Sequence, residues 1–276
     1  MHLRAELDGF LSGLDKVALR EDDPVSIVWN YPDPADREVV ALVCACMAYG
    51  RVSLLKRAIK TVLRPLGPCP AQSLRDFKPD GPAAQEIQDF VYRMTRGPDV
   101  IALFAAIGSA LNEVGSLKAV FDHGHHADDS DYQRALTHFV SDLRRRGGSE
   151  RRGFLYLLAD AGKGGACKRL NLFLRWMVRG PDDVDLGLWS DLPTQKLAMP
   201  LDTHIVRIAR YLGLSSRRTT DWKLAKEIAS NLAMLDPIDP LKYDFALCHL
   251  GIAGTCPRRR DPACCAQCPI QSVCLL

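Results

Sequence analysis

No apolar run in this sequence is long enough to cross a bilayer. The longest, Val39 to Tyr49, is eleven residues, where a spanning helix needs about 20. The first residues, Met1-His-Leu-Arg-Ala-Glu-Leu-Asp, lack the apolar stretch of a secretory signal. No sustained alternation of apolar and polar residues marks a strand, and no segment repeats at a fixed period. Charge of one sign is barely in excess, with 36 Lys and Arg against 33 Asp and Glu, a formal +3. These absences argue against a membrane span, a secreted protein and a chain held to nucleic acid by bulk charge alone. The expected location is the cytoplasm, with the nucleoid as the place of work if DNA is the partner, and thiols there stay reduced.

The pattern that is present is helical. Apolar residues recur at helical spacing over about 2–19, 37–47, 52–63, 83–95, 100–112, 131–146, 153–159, 167–178, 203–212, 221–235 and 240–253. Asp36, Ser130 and Asp221 stand where helix starts are expected, and Gly50 follows the second helix. The fold class is therefore all-α, irregular, and with 47% hydrophobic residues able to bury a real core. His123, His125, His126, Asp128 and Asp129 form a polar loop whose residue types could ligate a metal, although nothing in their spacing fixes a geometry. Arg144–Arg146 with Arg151 and Arg152 read either as a solvated helix end or as phosphate contacts.

Cysteine is unevenly placed. Of ten, six (Cys248, Cys256, Cys264, Cys265, Cys268 and Cys274) fall in the last 29 residues. In a reducing compartment such a cluster points to metal rather than disulfides. Four thiolates on one compact loop suit a tetrahedral zinc or a four-iron cluster equally by charge and softness. One Cys-x-x-Cys knuckle flanked by single cysteines fits structural zinc less well. Cys44 and Cys46, inside an apolar run, are expected to pack as small hydrophobes.

With its gaps of two residues between Cys265 and Cys268 and five between Cys268 and Cys274, this segment resembles the iron–sulfur loop of the endonuclease III and MutY branch of the helix-hairpin-helix (HhH-GPD) DNA glycosylases. Cys268-Pro269-Ile270 is typical of the MutY type. The first gap departs, being eight residues from Cys256 to Cys265 or seven to Cys264, where the family has six. Cys265 keeps the knuckle and is preferred. The resemblance thus implies a 4Fe–4S cluster on Cys256, Cys265, Cys268 and Cys274, with zinc as the alternative.

A second stretch, Leu201-Asp202-Thr203-His204-Ile205-Val206-Arg207, resembles the same family's Val-Asp-Thr-His-Val-x-Arg segment. By itself Asp202 reads as an ordinary helix cap. The resemblance makes it the acid at the mouth of a lesion pocket, stabilising positive charge on the deoxyribose as the N-glycosidic bond breaks. It also implies DNA contacts by His204 and Arg207.

The third stretch is Gly162-Lys163-Gly164-Gly165-Ala166-Cys167-Lys168-Arg169-Leu170-Asn171. It lacks the first glycine and the Ser/Thr of a P-loop. It looks like a helix-hairpin-helix turn, in which Gly162, Gly164 and Gly165 let the backbone approach a DNA phosphate at a helix start. Lys168 aligns with the lysine of bifunctional members, which attacks the sugar C1′ to form a Schiff base; Arg169 joins the DNA contacts. Read without the family, Lys168 is a solvated or phosphate-binding lysine, with Lys163 and Lys196 as rivals for the reactive role. The hairpin is a looser glycine string than the family's. Lys168 and Asp202 also lie 34 positions apart, as if Val178–Met199 were inserted. A longer gap resembles that of the archaeal oxidised-guanine glycosylases and hints at an oxidised purine.

Tyr49 and Arg51, after the first core helix, are candidates to fill the space left by a flipped base. Trp176 reads as core rather than pocket lining. The resemblance as a whole implies a divergent bacterial member with two lobes. A six-helix barrel would span 37–199 and end in the hairpin at about 160–178. Residues 1–36 and 200–276 would form the iron–sulfur lobe. It implies base-excision DNA repair on double-stranded DNA with a damaged base, by a monomeric DNA glycosylase with AP lyase activity. The alternative is a DNA-binding or lesion-sensing protein that keeps the scaffold without chemistry.

Overall fold

The apolar run becomes the buried axis of an all-α protein. In the computed structural model, which describes residues 2–257 and 259–276, the helix Pro34–Cys46 has Val39 to Cys46 wholly excluded from solvent. It begins earlier than expected from Asp36, because Pro34 fixes the first helical position and Asp33 caps it, accepting from Ala35 N at 2.7 Å. Asp36 instead turns inward and accepts from Ala71 N at 2.7 Å, capping the helix Pro70–Arg75. Glu38, two residues on and equally buried, accepts from Leu117 N (2.9 Å), Lys118 N (3.0 Å) and Trp189 Nε1 (2.9 Å). The two acids of the central helix thus serve as caps for other elements, which is how charged groups survive in a core.

Around this axis pack Val25–Val28, Pro70–Arg75 and Lys168–Val178, with Gly97–Val114 and Gln133–Gly147 behind them. One hydrophobic cluster runs from Leu7 to Ile270, through both segments expected as lobes. No helix among the described residues is long and apolar enough to cross a membrane.

Several boundaries depart from the helical pattern. The stretch 2–19 is two helices, His2–Ser12 and Lys16–Glu21, because Asp15 accepts from Ala18 N at 2.9 Å and starts the second. The stretch 83–95 is a short helix, Pro82–Ile87, followed by an antiparallel hairpin, Val91–Tyr92 with Thr95–Arg96. The chain reverses there so that Gly97 can sit against the end of that short helix. A Cβ on Gly97 would lie 2.1 Å from the Ile87 carbonyl oxygen. The helix after Ser130 starts at Gln133, with Asp131 accepting from Gln133 N at 2.8 Å. Residues 240–253 divide into a 3-10 turn, Pro240–Tyr243, and the helix Asp244–Ile252.

The segment between Lys168–Val178 and Asp202 is built into the protein rather than looped out of it. Trp189 is 1% exposed. Asp185, fully buried, accepts from Arg175 Nη2 at 3.0 Å and from Arg179 Nη1. Arg175 also pairs with Asp244, and Arg179 makes a two-pronged pair with Asp239 at 2.8 Å on each arm. Removing one member of such a buried set leaves uncompensated charge, at a cost of about 3–5 kcal/mol. Asp185→Ala should therefore lower the urea midpoint of unfolding by that equivalent, whereas exposed Asp80→Ala should barely move it. Equal midpoints for the two variants would show that the pairs contribute nothing.

Candidate active site

Asp202 stands in extended backbone at the start of the helix Thr203–Tyr211. Its Oδ1 accepts from His204 N (2.8 Å) and Ile205 N (2.7 Å). That is the cap anticipated from the sequence, stabilising by about 1 kcal/mol. Its other oxygen, Oδ2, accepts from the Cys248 thiol at 3.2 Å. The contact exists because Thr203–Tyr211 crosses Asp244–Ile252 closely. Gly251 faces His204, where a Cβ would come within 2.4 Å of the His204 Cβ.

Lys168 is the first residue of Lys168–Val178. The chain reaches it through a hairpin between this helix and Arg152–Leu157. Asp160 accepts from Gly162 N at 2.8 Å, Gly164 takes the left-handed conformation (φ +77°), and Gly165 bridges to Asp221. The Gly164 carbonyl accepts from Trp222 N at 2.9 Å, tying the hairpin to the next helical segment. Beta-carbons on Gly164 or Gly165 would meet nothing within 4 Å, so this face of the hairpin is open. Cys167 also has positive φ (+43°), an unusual conformation for a residue with a side chain.

Lys168 and Asp202 line one cleft of about 910 Å³. Tyr49, Arg51, Arg175, His204, Asp244 and Cys248 line it as well. The two reactive candidates act on the same neighbours. Burial pushes the Cys248 thiol well up; the Asp202 and Asp244 carboxylates add to this and the Lys168 ammonium opposes it. Burial likewise raises Asp244, with Arg175 and Lys168 opposing and Asp202 reinforcing. Cys248 is therefore a protonated donor to Asp202, not part of the cysteine loop downstream.

The other candidates fall in different places. Arg51 is exposed at the cleft rim, at the start of Val52–Leu63. Tyr49 lines the cleft, but its hydroxyl is anchored to Thr95 Oγ1 at 2.6 Å and its ring packs on Tyr92 and Tyr156. Arg169 does not reach the open surface as expected of a DNA contact. Its guanidinium is held by the carbonyls of Cys46 and Tyr156 and lies 4.1 Å over the Tyr156 ring. Lys196 points elsewhere, donating to the Ala127 carbonyl at 2.5 Å. Trp176 is fully buried, as are Cys44 and Cys46. Arg207 Nη2 donates to the Cys256 carbonyl at 2.7 Å.

Cys256, Cys265, Cys268 and Cys274 line a second cavity of about 110 Å³, and Cys264 is not among its walls. Burial raises the Cys256 and Cys268 thiols, and each is raised further by the others of this set. Cys264 is instead raised mainly by Asp261 beside it. Among the described residues no three His, Cys, Asp or Glu side chains are close enough to share a single ion. Four thiols around one void are a donor set that either a zinc ion or an iron–sulfur cluster would accept.

Residues 23–253 match the family described as "Protein of unknown function (DUF2400)", and the chain belongs to it. No curated protein and no solved structure matches. The matched span holds Lys168, Asp202 and Cys248 and stops short of the four cysteines around the second cavity.

The sequence reading missed the inner wall of the cleft. Arg175, Asp244, Phe245 and His249 sit in apolar helices with no local motif to mark them, and only their tertiary neighbours make them notable. His249 is 7% exposed, its ring lies tilted 4.2 Å from that of Phe245, and among the described residues its Nε2 has no partner. Burial holds its pKa below the ordinary 6.5. The folded state then binds fewer protons than the unfolded chain, so this contribution to stability is present above the unfolded pKa and is lost as pH falls below it. His249→Phe should flatten the decline in urea midpoint between about pH 7 and about pH 5. Parallel pH curves for the two proteins would contradict this account.

Proposed function

We propose that the protein is a base-excision DNA glycosylase of helix-hairpin-helix type with AP lyase activity. The observation that carries the reading is that Lys168 and Asp202, from distant parts of the chain, line one cleft. The open glycine hairpin beside Lys168 supports it, since nothing crowds Gly164 or Gly165 where a phosphate would approach the helix start. A damaged nucleotide extruded from the duplex would enter between them. As the N-glycosidic bond lengthens, the Asp202 carboxylate offsets positive charge on the sugar. The unprotonated Lys168 amine bonds to C1′ as the base departs, taking up a proton. Ring opening gives the Schiff base, and loss of a C2′ proton expels the 3′ phosphate. The 34-residue spacing and the roomy cleft fit an oxidised purine.

Cys256, Cys265, Cys268 and Cys274 would hold a 4Fe–4S cluster, with zinc as the alternative. Its contribution would be structural, fastening the C-terminal loop to Thr203–Tyr211, the helix that carries Asp202. The protein's own ties are Arg207 to the Cys256 carbonyl and Leu275 N to the Tyr211 carbonyl at 2.7 Å. A second reading, lesion sensing without chemistry, is favoured by one fact: both Asp202 oxygens already accept hydrogen bonds.

Borohydride should trap wild type, but not Lys168→Gln, on a duplex from a panel of oxidised and deaminated bases. Asp202→Asn should slow base release by about 100-fold or more. Lesion binding that survives Asp202→Asn, with no base released by either protein, would select the sensing reading. Cys265→Ser should lose most of the iron and acid-labile sulfide of anaerobically purified protein, and Cys264→Ser should retain both. The reverse order would reassign the ligand, and stoichiometric zinc without sulfide would replace the cluster.

A further inference from the structure

The helix Val52–Leu63 leaves the cleft rim with all its charge of one sign. Its inner face is apolar, with Leu55, Ala58, Ile59, Val62 and Leu63 buried. The other face forms a groove of about 500 Å³ lined by Ser53, Lys56, Arg57, Lys60, Thr61 and Arg64. Residues 51–66 carry five of the 36 Lys and Arg and none of the 33 Asp and Glu, so the rest of the chain has two more acidic residues than basic. The positive balance of the whole protein is concentrated here.

These cations are not engaged in holding the fold. Among the described residues Arg57 and Lys60 form no ion pair, and Arg64 reaches Glu86 only at 3.9 Å on the surface, a contact of little energy. Lys56 alone is tethered, through its amine to the Glu21 carbonyl. The start of the helix reaches the cleft, since Arg51 and Val52 line it. A twelve-residue helix is about 18 Å long. Phosphates along one strand are spaced about 3.4 Å in axial rise, so the strip has the length to contact more than one of them.

We infer that the groove on Val52–Leu63 is a phosphate-backbone track, gripping one strand of duplex DNA on a single flank of the nucleotide held in the cleft. The inference rests on the DNA reading above, but it concerns binding and is tested apart from base release. Ser53 supplies a hydroxyl donor beside the cations, whereas the Thr61 hydroxyl already donates to the Arg57 carbonyl at 3.0 Å. The contacts carry no sequence information and set the direction in which the duplex lies across the cleft.

The test is the salt dependence of binding to a duplex containing a tetrahydrofuran abasic site. Each lost phosphate contact lowers the slope of log affinity against log salt by about 0.9. Arg57→Glu with Lys60→Glu should lower the slope by about 2, and Arg57→Gln with Lys60→Gln should do the same with milder loss of affinity. Lys78→Glu, an exposed cation elsewhere, should leave it unchanged. Truncating the duplex on one side of the site should erase the difference between wild type and the double variants, and truncation on the other side should preserve it. Unchanged slopes in folded double variants, while wild type binds with strong salt dependence, would overturn the track and leave the glycosylase reading standing. Wild type without measurable affinity for the duplex would overturn both.

Discussion

The geometry of the cleft depends on Arg175. Its guanidinium sits between Asp185, in the segment that follows its own helix, and Asp244, at the start of the helix that carries Cys248. All three side chains are at most 3% exposed. Two carboxylates drawn to one cation fix the rotation of Lys168–Val178 relative to Asp244–Ile252. Lys168 lies two turns before Arg175 on the first helix, and Cys248 lies one turn after Asp244 on the second. That clamp sets where Lys168 lies relative to Cys248, whose thiol donates to Asp202. Buried ion pairs contribute little net stability compared with apolar substitutes. Their persistence here is better understood as specifying register, because a hydrophobic contact would tolerate sliding that directional bonds do not.

The same economy appears in the central helix. Asp36 and Glu38 point away from solvent and close the ends of Pro70–Arg75 and Leu117–Asp122. Both partner helices are six residues long, too short to hold themselves together in water. A cap supplied from the core makes their existence conditional on the tertiary fold. This explains why helical periodicity did not anticipate them: six residues cannot display a moment, and although Ser116 caps Leu117–Asp122 locally, accepting from Ala119 N at 3.0 Å, the buried carboxylates lie up to about 80 residues away in sequence.

Where the signal was local, the sequence was legible. Asp202 and Asp221 are followed at once by helix, and their side chains accept from backbone N–H groups two or three residues on. The gaps among Cys265, Cys268 and Cys274 singled out cysteines that line one cavity, while Cys264 falls outside it. Arg169 shows the opposite case. Its position beside Lys168 invites a surface role, yet helical geometry turns the next residue about 100° around the axis, where Tyr156 and the Cys46 carbonyl await it. Cys248 was grouped with the other late cysteines because sequence distance was the only measure at hand. Three-dimensional distance assigns it to Asp202.

That assignment bears on what Asp202 can still do. A carboxylate has about four lone-pair sites, and this one accepts from two backbone N–H groups and one thiol. The backbone pair falls on Oδ1, leaving Oδ2 with a single weak donor. A protonated thiol is a poor hydrogen-bond donor, so it orients Oδ2 without neutralising its charge as an ammonium or guanidinium would. Burial and two neighbouring carboxylates keep the thiol protonated; it therefore neither adds to the negative charge of the cleft nor competes as a nucleophile. For the proposed chemistry this is a useful division. One oxygen holds the helix, while the other retains capacity to face a cationic sugar from a fixed direction. Lys168, which lines the same cleft, then needs no charged partner of its own to be positioned, because the helix whose rotation Arg175 sets already carries it there.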